Sequence, residues 1–160
     1  MDYEPTTTEA SMGLDMYLTK QTKENKREEA GYWRKANAIH NYFVENIQKG
    51  NDDQKAYRVS KKTFNDLLLK CNKIFEQAVK EGFRPDPDKD GMYQEGFKPS
   101  AELAELCAAE LPTQSGFFFG STEYDDWYFH QIAYTKRLID QILENWATDD
   151  HKAYYYSCWW

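Results

Sequence analysis

The sequence predicts an α+β fold, with about four helices packed on a small mixed or antiparallel sheet that includes both chain ends. Three observations support this prediction. Apolar residues alternate near the N-terminus, they recur at helical spacing through the middle of the chain, and an aromatic run closes the C-terminus. A chain of 160 residues suits one domain. We assign residues 1–11 to a disordered polar tail and residues 12–160 to a single α+β domain.

The first half of the domain begins with a strand and continues into a helix. Residues 12–20 alternate, with Leu14, Met16 and Leu18 on one side, which predicts a half-buried strand. Residues 28–48 are predicted to form the first helix. Its apolar stripe follows steps of three and four residues: Tyr32, Ala36, Ile39, Phe43 and Ile47.

Two serines mark the starts of the next two predicted helices. Ser60 follows a short predicted strand at 56–59 and suits the N-cap of a second helix, which ends at Gly82. Ser100 suits the N-cap of a short third helix that ends near Glu110. The prolines and glycines between these two helices predict an irregular connection.

The last third of the chain is predicted to contain a strand, a helix and a strand. Glycines bracket a phenylalanine run at 116–120, which indicates a buried strand. Thr122 is the predicted N-cap of a fourth helix over about residues 123–147. The aromatic run at residues 153–160 predicts a final strand. We expect this strand to bury Tyr155 or Trp159 against the helices, because so many aromatic side chains are rarely left exposed to water.

The composition excludes several functions. The formal charge of −7 argues against direct binding to a nucleic-acid backbone, which needs a basic surface. No apolar run approaches the roughly 20 residues of a membrane span. The N-terminal residues lack the basic start and apolar stretch of a secretory signal. The three cysteines cannot all pair within one chain, so we expect reduced thiols and a cytoplasmic location.

Two segments mix large aromatic rings with polar and charged residues, GYWRKANAIH at 31–40 and LPTQSGFFFGSTEYDDWY at 111–128. Because both flank the same predicted sheet, we expect them to meet. The candidate binding residues in them are Trp33, Arg34, Lys35, His40, Gln114, Ser115, Tyr124, Asp126 and Trp127.

Arg34 and Lys35 could hold a carboxylate or phosphate, and Trp33 could stack on a base. The alternative is structural: Trp33 packs in the core, the two cations are solvated, and His40 is a hydrogen-bonded histidine at the core edge.

No catalytic or cofactor motif is visible. The chain lacks GxSxG, HExxH and GxGxxG, and no Cys/His spacing suits zinc, so we predict no catalytic residue, no cofactor and no metal. One acidic loop resembles the start of a calcium loop through Asp86, Asp88 and Asp90. Its twelfth position should be a bidentate Glu but is Phe97, so we favour a solvated acidic turn.

The chain resembles a family of small uncharacterised bacteriophage and bacterial proteins. The resemblance rests on the GLDMYL-like segment at 13–18, the two segments at 31–40 and 111–128, and the aromatic, serine-containing end at 154–160. It covers most of the chain and implies a setting among the accessory genes of phages and mobile elements. It implies no particular activity.

Three functional hypotheses follow. The first is a counter-defence inhibitor that binds a host or defence-system protein, which the implied setting and the acidic charge favour narrowly. The second is a protein that binds or sequesters a small nucleotide-like ligand in a pocket between the two aromatic-polar segments. The third is an enzyme of unrecognised type. We do not expect a membrane to be among the binding partners.

Overall fold

The structure is a computed structural model that describes residues 13–85, 96–116 and 119–160. In these residues it contains four strands and four helices. The strands are β1 (Asp15–Gln21), β2 (Arg27–Arg34), β3 (Tyr57–Val59) and β4 (Ala153–Trp159). The helices are α1 (Asn37–Ile47), α2 (Lys61–Lys80), α3 (Ala101–Glu110) and α4 (Asp126–Glu144).

The four strands form one antiparallel sheet in the order β2-β1-β4-β3. The predicted α+β class is therefore confirmed, and the sheet includes the strands nearest both chain ends. Within the described part of the chain, no helix has the length and apolar character needed to cross a bilayer.

The core lies between the helices and one face of the sheet. Met16 and Leu18 of β1, and Tyr154 and Tyr156 of β4, belong to one buried cluster. The helices supply the rest of it, including Ile39, Phe43, Phe64, Leu67 and Ile139. Alternate residues of a strand face opposite sides, so this arrangement places Tyr155 and Trp159 on the other face of the sheet. The expectation that one of these two is buried against the helices is wrong, since Tyr154 and Tyr156 occupy that role.

Residues 28–34 form a strand and not the first turns of a helix, which corrects the predicted helix at 28–48. Gly31 and Trp33 are buried while Tyr32 is exposed, which is a strand period. The helical stripe through Tyr32 and Ala36 was a coincidence of spacing. β1 pairs with β2 over its whole length, with an irregularity after Leu18, and this pairing outweighs local helical propensity.

The start of the fourth helix also differs from the prediction. Asp125, and not Thr122, is the N-cap of α4, and its carboxylate accepts a hydrogen bond from the Tyr128 amide at 3.0 Å. Ser60 and Ser100 cap α2 and α3 as predicted, accepting from amides three residues further on.

Three sequence predictions concern short or terminal segments. Residues 116, 119 and 120 are not in a strand, so the strand predicted at 116–120 is not formed at these three positions. The Phe119 amide donates to the Gly116 carbonyl. Phe117 and Phe118 lie outside the described residues. So do the predicted tail and the acidic loop with Asp86, Asp88 and Asp90.

Candidate functional site

The two aromatic-polar segments meet, as expected, and Asn37 joins them. This residue begins α1 and is buried. Its Nδ2 donates to the carbonyls of Phe119 at 3.1 Å and Ser121 at 2.9 Å, and its Oδ1 accepts from the Gln114 amide at 2.9 Å. Three hydrogen bonds from one buried side chain therefore hold the 111–128 segment against the start of α1.

Three adjoining cavities follow α4 from its N-terminal end. The first lies where the two segments meet; we call it the seam. It is narrow, with about 20 Å³ of space, and Lys35, Glu123, Asp125 and Trp127 are among its lining residues. Room for about one water does not accommodate a ligand.

The second cavity is larger, about 290 Å³, and lies between β2 and α4. We call it the β2–α4 groove and define it by its lining residues Tyr32, Trp33, Arg34, Trp127, His130, Gln131 and Tyr134. Trp127 and Gln131 also line the seam, so the two spaces adjoin.

The third cavity holds about 300 Å³ and shares His130 and Tyr134 with the β2–α4 groove. We call it the adjoining compartment. Lys136, Arg137 and Asp140 are among the residues that line it. Lys136 Nζ lies 2.9 Å from Asp140 Oδ2, and the Arg137 guanidinium lies 6.0 Å from the Tyr134 ring centroid. Together the two cavities reach the size at which proteins bind small molecules.

Trp33 forms the floor of the groove and is not available for stacking. Its side chain is only 2% exposed, and its indole Nε1 donates to Thr135 Oγ1 at 2.8 Å. It also meets the Tyr134 ring edge-on, with centroids 6.1 Å apart. The structural alternative therefore describes Trp33 correctly, and Trp127 is the half-buried indole that borders the groove.

Arg34 lines the groove beside a buried carboxylate. Its Nη1 lies 3.0 Å from Asp15 Oδ1, and the Tyr32 hydroxyl donates to the same oxygen. Burial and the Asp15 carboxylate raise the pKa of Tyr32 to about 12, so its hydroxyl keeps its proton. Asp15 thus fixes Arg34 and Tyr32 at the groove wall and balances the arginine's charge.

His130 is the groove's histidine and is missing from the sequence-based candidates. Burial lowers its pKa below the ordinary value, so the ring is neutral near pH 7 and can either donate or accept a hydrogen bond. Its centroid lies 5.7 Å from that of Trp127.

Trp127, His130, Gln131 and Tyr134 repeat at steps of three and four, which puts them on one helix face. This second, polar-aromatic stripe beside the apolar one was the sequence signal for them.

The remaining candidates do not line the β2–α4 groove. Lys35 lines the seam, with φ of 53° and its side chain against Gly120, near the seam's carboxylates. Asp126 accepts hydrogen bonds from the amides of Gly96 and Trp127, and Tyr124 meets Tyr128 edge-on. Gln114 and Ser115 are exposed in the loop that Asn37 holds.

His40 lies in a separate buried cluster. Its ring is 0% exposed; Nδ1 lies 2.6 Å from the Tyr156 hydroxyl, and Nε2 lies 2.9 Å from Asp52 Oδ1. Burial lowers the pKa of His40, and the Asp52 carboxylate opposes that effect only in part. Tyr156, His40 and Asp52 are thus joined by hydrogen bonds, but the His40 ring is enclosed and cannot reach a substrate as a general base. The structure thus agrees with the structural alternative for His40.

The sulfur of Cys158 completes this cluster. The side-chain ligand atoms of His40, Asp52 and Cys158 all lie within 4.8 Å of one another, the only such group of His, Cys and acidic residues among the described positions. The thiol donates to the Asp53 carbonyl at 3.3 Å, and burial raises its pKa. All three cysteines are free and buried.

The chain was compared with protein-family models, curated proteins and solved structures, and none of them matches.

Proposed function

We propose that the protein binds a small aromatic anion of the nucleotide class in the β2–α4 groove. One observation carries the proposal. The described residues that line this groove include an arginine, a histidine and four aromatic side chains but no carboxylate, in a chain whose formal charge is −7. No acid is among the lining residues, and the acid behind the groove wall, Asp15, is buried and paired with Arg34. In an acidic chain, this lining favours a ligand with a ring and a negative charge.

Each part of the groove suits a part of such a ligand. Trp127 offers an indole face for a base, and stacking of this kind contributes about 1–3 kcal/mol. Gln131 and neutral His130 can donate and accept at the polar edge of the base. Arg34 presents its guanidinium to the anionic group.

Charge is the smaller contribution. Asp15 already balances Arg34, with 3.0 Å between Nη1 and Oδ1, so an added phosphate meets little net positive charge. Lys136 and Arg137 line the adjoining compartment, although Lys136 is paired with Asp140 and a second acid, Glu144, also lines it. We therefore expect the ring to determine whether a ligand binds and the phosphates to modulate its affinity.

The test is a thermal-shift and calorimetric series with the full chain and nucleoside mono-, di- and triphosphates of the common bases. A ligand at free concentration L that binds only the folded state adds RT ln(1 + L/Kd) to the free energy of unfolding, so Tm rises with the logarithm of ligand concentration once that concentration exceeds Kd. Trp127→Ala should weaken binding about tenfold or more, which corresponds to about 1.4 kcal/mol. Leu69→Ala is the control, because Leu69 is 61% exposed on α2 and does not line the groove.

Two results would overturn the proposal. One is the absence of any Tm rise with every nucleotide at millimolar concentration. The other is binding that Trp127→Ala and Leu69→Ala leave equally strong, since the ligand would then occupy another site.

A second candidate is binding to a host or defence-system protein, as a phage counter-defence inhibitor in the host cytoplasm. The excess of 27 acidic over 20 basic residues supports it, because an acidic surface can engage a basic partner. Capture from host lysate should then recover one protein in near-equal amount, and salt should weaken the complex.

Charge reversal at exposed acids tests this second candidate. Asp52 and Asp53 are poor choices, since they bond to His40 and Tyr57. Glu45→Lys and Glu76→Lys are better choices, because both positions are exposed on helices. Unchanged capture by both variants and at high salt would count against an electrostatic partner.

A further inference from the structure

The cluster of His40, Asp52 and Cys158 brings nitrogen, oxygen and sulfur together at one point. His40 comes from α1, Asp52 from the loop after α1, and Cys158 from β4. His40 Nε2 and Asp52 Oδ1 are 2.9 Å apart, and Cys158 Sγ is within 4.8 Å of both. We propose that these three residues bind a divalent transition metal ion, and that zinc suits them best.

The ligand set favours zinc over calcium or magnesium. Imidazole and thiolate are ligands for zinc, whereas the hard cations take oxygen almost alone. Bonds of about 2.0–2.3 Å in a tetrahedron separate neighbouring ligand atoms by about 3.3–3.8 Å. The separation of His40 Nε2 and Asp52 Oδ1, 2.9 Å, is shorter than this range, and the exposed Asp52 carboxylate can move outward by rotation. Cys158 Sγ lies within 4.8 Å of both atoms, so small side-chain shifts can bring all three to ligand distance. Three protein ligands leave the fourth position for water.

Tyr156 supplies the support that a ligating histidine needs. Its hydroxyl lies 2.6 Å from His40 Nδ1, the ring nitrogen that faces away from Asp52. Such a bond at one nitrogen orients the ring and directs the other nitrogen toward the metal ion. The rings of Phe119 and Trp160 lie 5.3 Å and 6.2 Å from the imidazole and keep this side of the cluster apolar.

The proton balance of binding can be written out. Without metal, the two contacts suit a neutral imidazole with its proton on Nε2: the Tyr156 hydroxyl would donate to Nδ1, and Nε2–H would donate to the Asp52 carboxylate. With metal, the imidazole proton would be on Nδ1, and Nδ1–H would donate to the Tyr156 hydroxyl oxygen, so Nε2 would be free to coordinate the ion. The Cys158 thiol loses its proton to solvent, because only the thiolate is a strong ligand. Binding therefore releases about one proton and strengthens with rising pH.

The experiment uses the full chain, first freed of metal with a chelator and then titrated with Co²⁺ and with Zn²⁺. The wild-type protein should take up one equivalent of Co²⁺ and develop a thiolate-to-cobalt charge-transfer absorption, which excess Zn²⁺ abolishes. Cys158→Ser should lose that absorption. Asp52→Asn, a change at the exposed end of the cluster, should weaken Zn²⁺ binding at least tenfold.

Cys107→Ser is the matched control, because Cys107 is also a free, buried thiol but lies outside the cluster. It should bind like the wild type. The proposal is overturned if folded wild-type protein shows no cobalt–thiolate absorption, or if Cys158→Ser retains it. Either result would leave His40 as a hydrogen-bonded core residue and Cys158 as its neighbour.

Discussion

Buried histidines make this protein's stability depend on pH. His40 is enclosed by Tyr156, Phe119 and Trp160, and His130 is buried on the groove side of α4. Enclosure disfavours the charged ring at both sites, and it outweighs the attraction of Asp52 at His40. Both residues therefore fold as neutral imidazoles.

The pH dependence follows from the lowered pKa values. Unfolded His40 and His130 bind protons near their ordinary value of 6.5, whereas the folded residues bind them only at lower pH. The unfolded chain thus gains more protons as pH falls through about 6.5, and stability is lost in that direction. From about pH 7.5 to 5.5, the free energy of unfolding should fall, by at most about 1.4 kcal/mol per pH unit for each histidine.

Urea denaturation at several pH values measures this slope. His130→Gln should make it shallower and leave the fold intact. Folding also lowers the pKa of some carboxylates, such as Glu110 and Asp149. Their contribution to the free energy of unfolding is lost mainly below about pH 5.5, outside the range of this experiment. Stability that rises as the pH falls from 7.5 to 5.5 would contradict the neutral-imidazole account.

At the scale of elements, β2 and β4 determine the architecture. β4 lies between β1 and β3, and its alternate residues face the helices and the open side of the sheet. β2 is one of the two edge strands. α4 packs against it through hydrogen bonds from Trp33 Nε1 to Thr135 Oγ1 and from the Tyr32 amide to the Tyr134 hydroxyl. These two contacts hold the walls of the β2–α4 groove together.

A glycine-to-alanine change at position 31 distinguishes the strand from the helix that the sequence predicted. In a helix, this substitution would stabilise the protein by about 0.5–1 kcal/mol. In β2, a Cβ at Gly31 would lie 2.5 Å from Leu138 Cδ2, so Leu138 must shift. We expect Gly31→Ala to destabilise the protein by about 1–2 kcal/mol.

Leu138→Ala is the companion variant for this prediction. Its truncated side chain removes the clash, so in a double-mutant cycle Gly31→Ala should cost much less on the Leu138→Ala background. A stabilising effect of Gly31→Ala in the wild type, read from urea unfolding, would refute the observed packing.

Two neighbouring tyrosines of β4 test which face of the sheet is covered. Tyr156 is fully buried, stacks on Phe43 at 4.2 Å and bonds to His40. Tyr155 is half-buried on the opposite face, with the Arg27 guanidinium 4.1 Å from its ring centroid. Tyr156→Ala should lower the free energy of unfolding by about 3–5 kcal/mol, as for other buried aromatic truncations.

Tyr155→Ala is the matched control and should cost about 1 kcal/mol or less, because one exposed cation–π contact is lost. Chemical denaturation of both variants gives the comparison. Equal losses would mean that both faces of the sheet are covered to the same extent.

At the scale of the whole molecule, Asn37 links the first half of the chain to the second. The sheet is built from both chain ends, and the helices cover one of its faces. The loop before α4 has no strand to hold it in the described residues, so its position depends on side-chain bonds such as those of Asn37. These bonds fix where α4 begins relative to β2, and hence the shape of the groove.

Asn37→Asp replaces the donor that faces two carbonyls with a carboxylate oxygen. We expect a loss of about 2–4 kcal/mol in the free energy of unfolding, because two buried acceptors lose their donor and meet a negative charge. Hydrogen exchange in residues 113–122 should accelerate more than in α2. Asn65→Asp, on an exposed position of α2, is the control and should change stability by less than about 0.5 kcal/mol.

The sequence alone was enough to predict the α+β class, the serine caps of α2 and α3, and the strands β1 and β4. These features are local, since a cap acts within one turn and apolar periodicity is read within one element. It also indicated that the segments at 31–40 and 111–128 meet, because both flank one sheet.

Features that depend on residues far apart in the sequence could be seen only in the folded protein. Residues 28–34 form a strand because β1 provides a pairing edge, although their spacing also fits a helix. Trp33 is buried in the core beneath the groove, whereas Trp127 is half-buried at its border, because the burial of each ring depends on which elements pack against it. The cluster of His40, Asp52 and Cys158 exists only once β4 lies beside α1, so no spacing along the chain could reveal it.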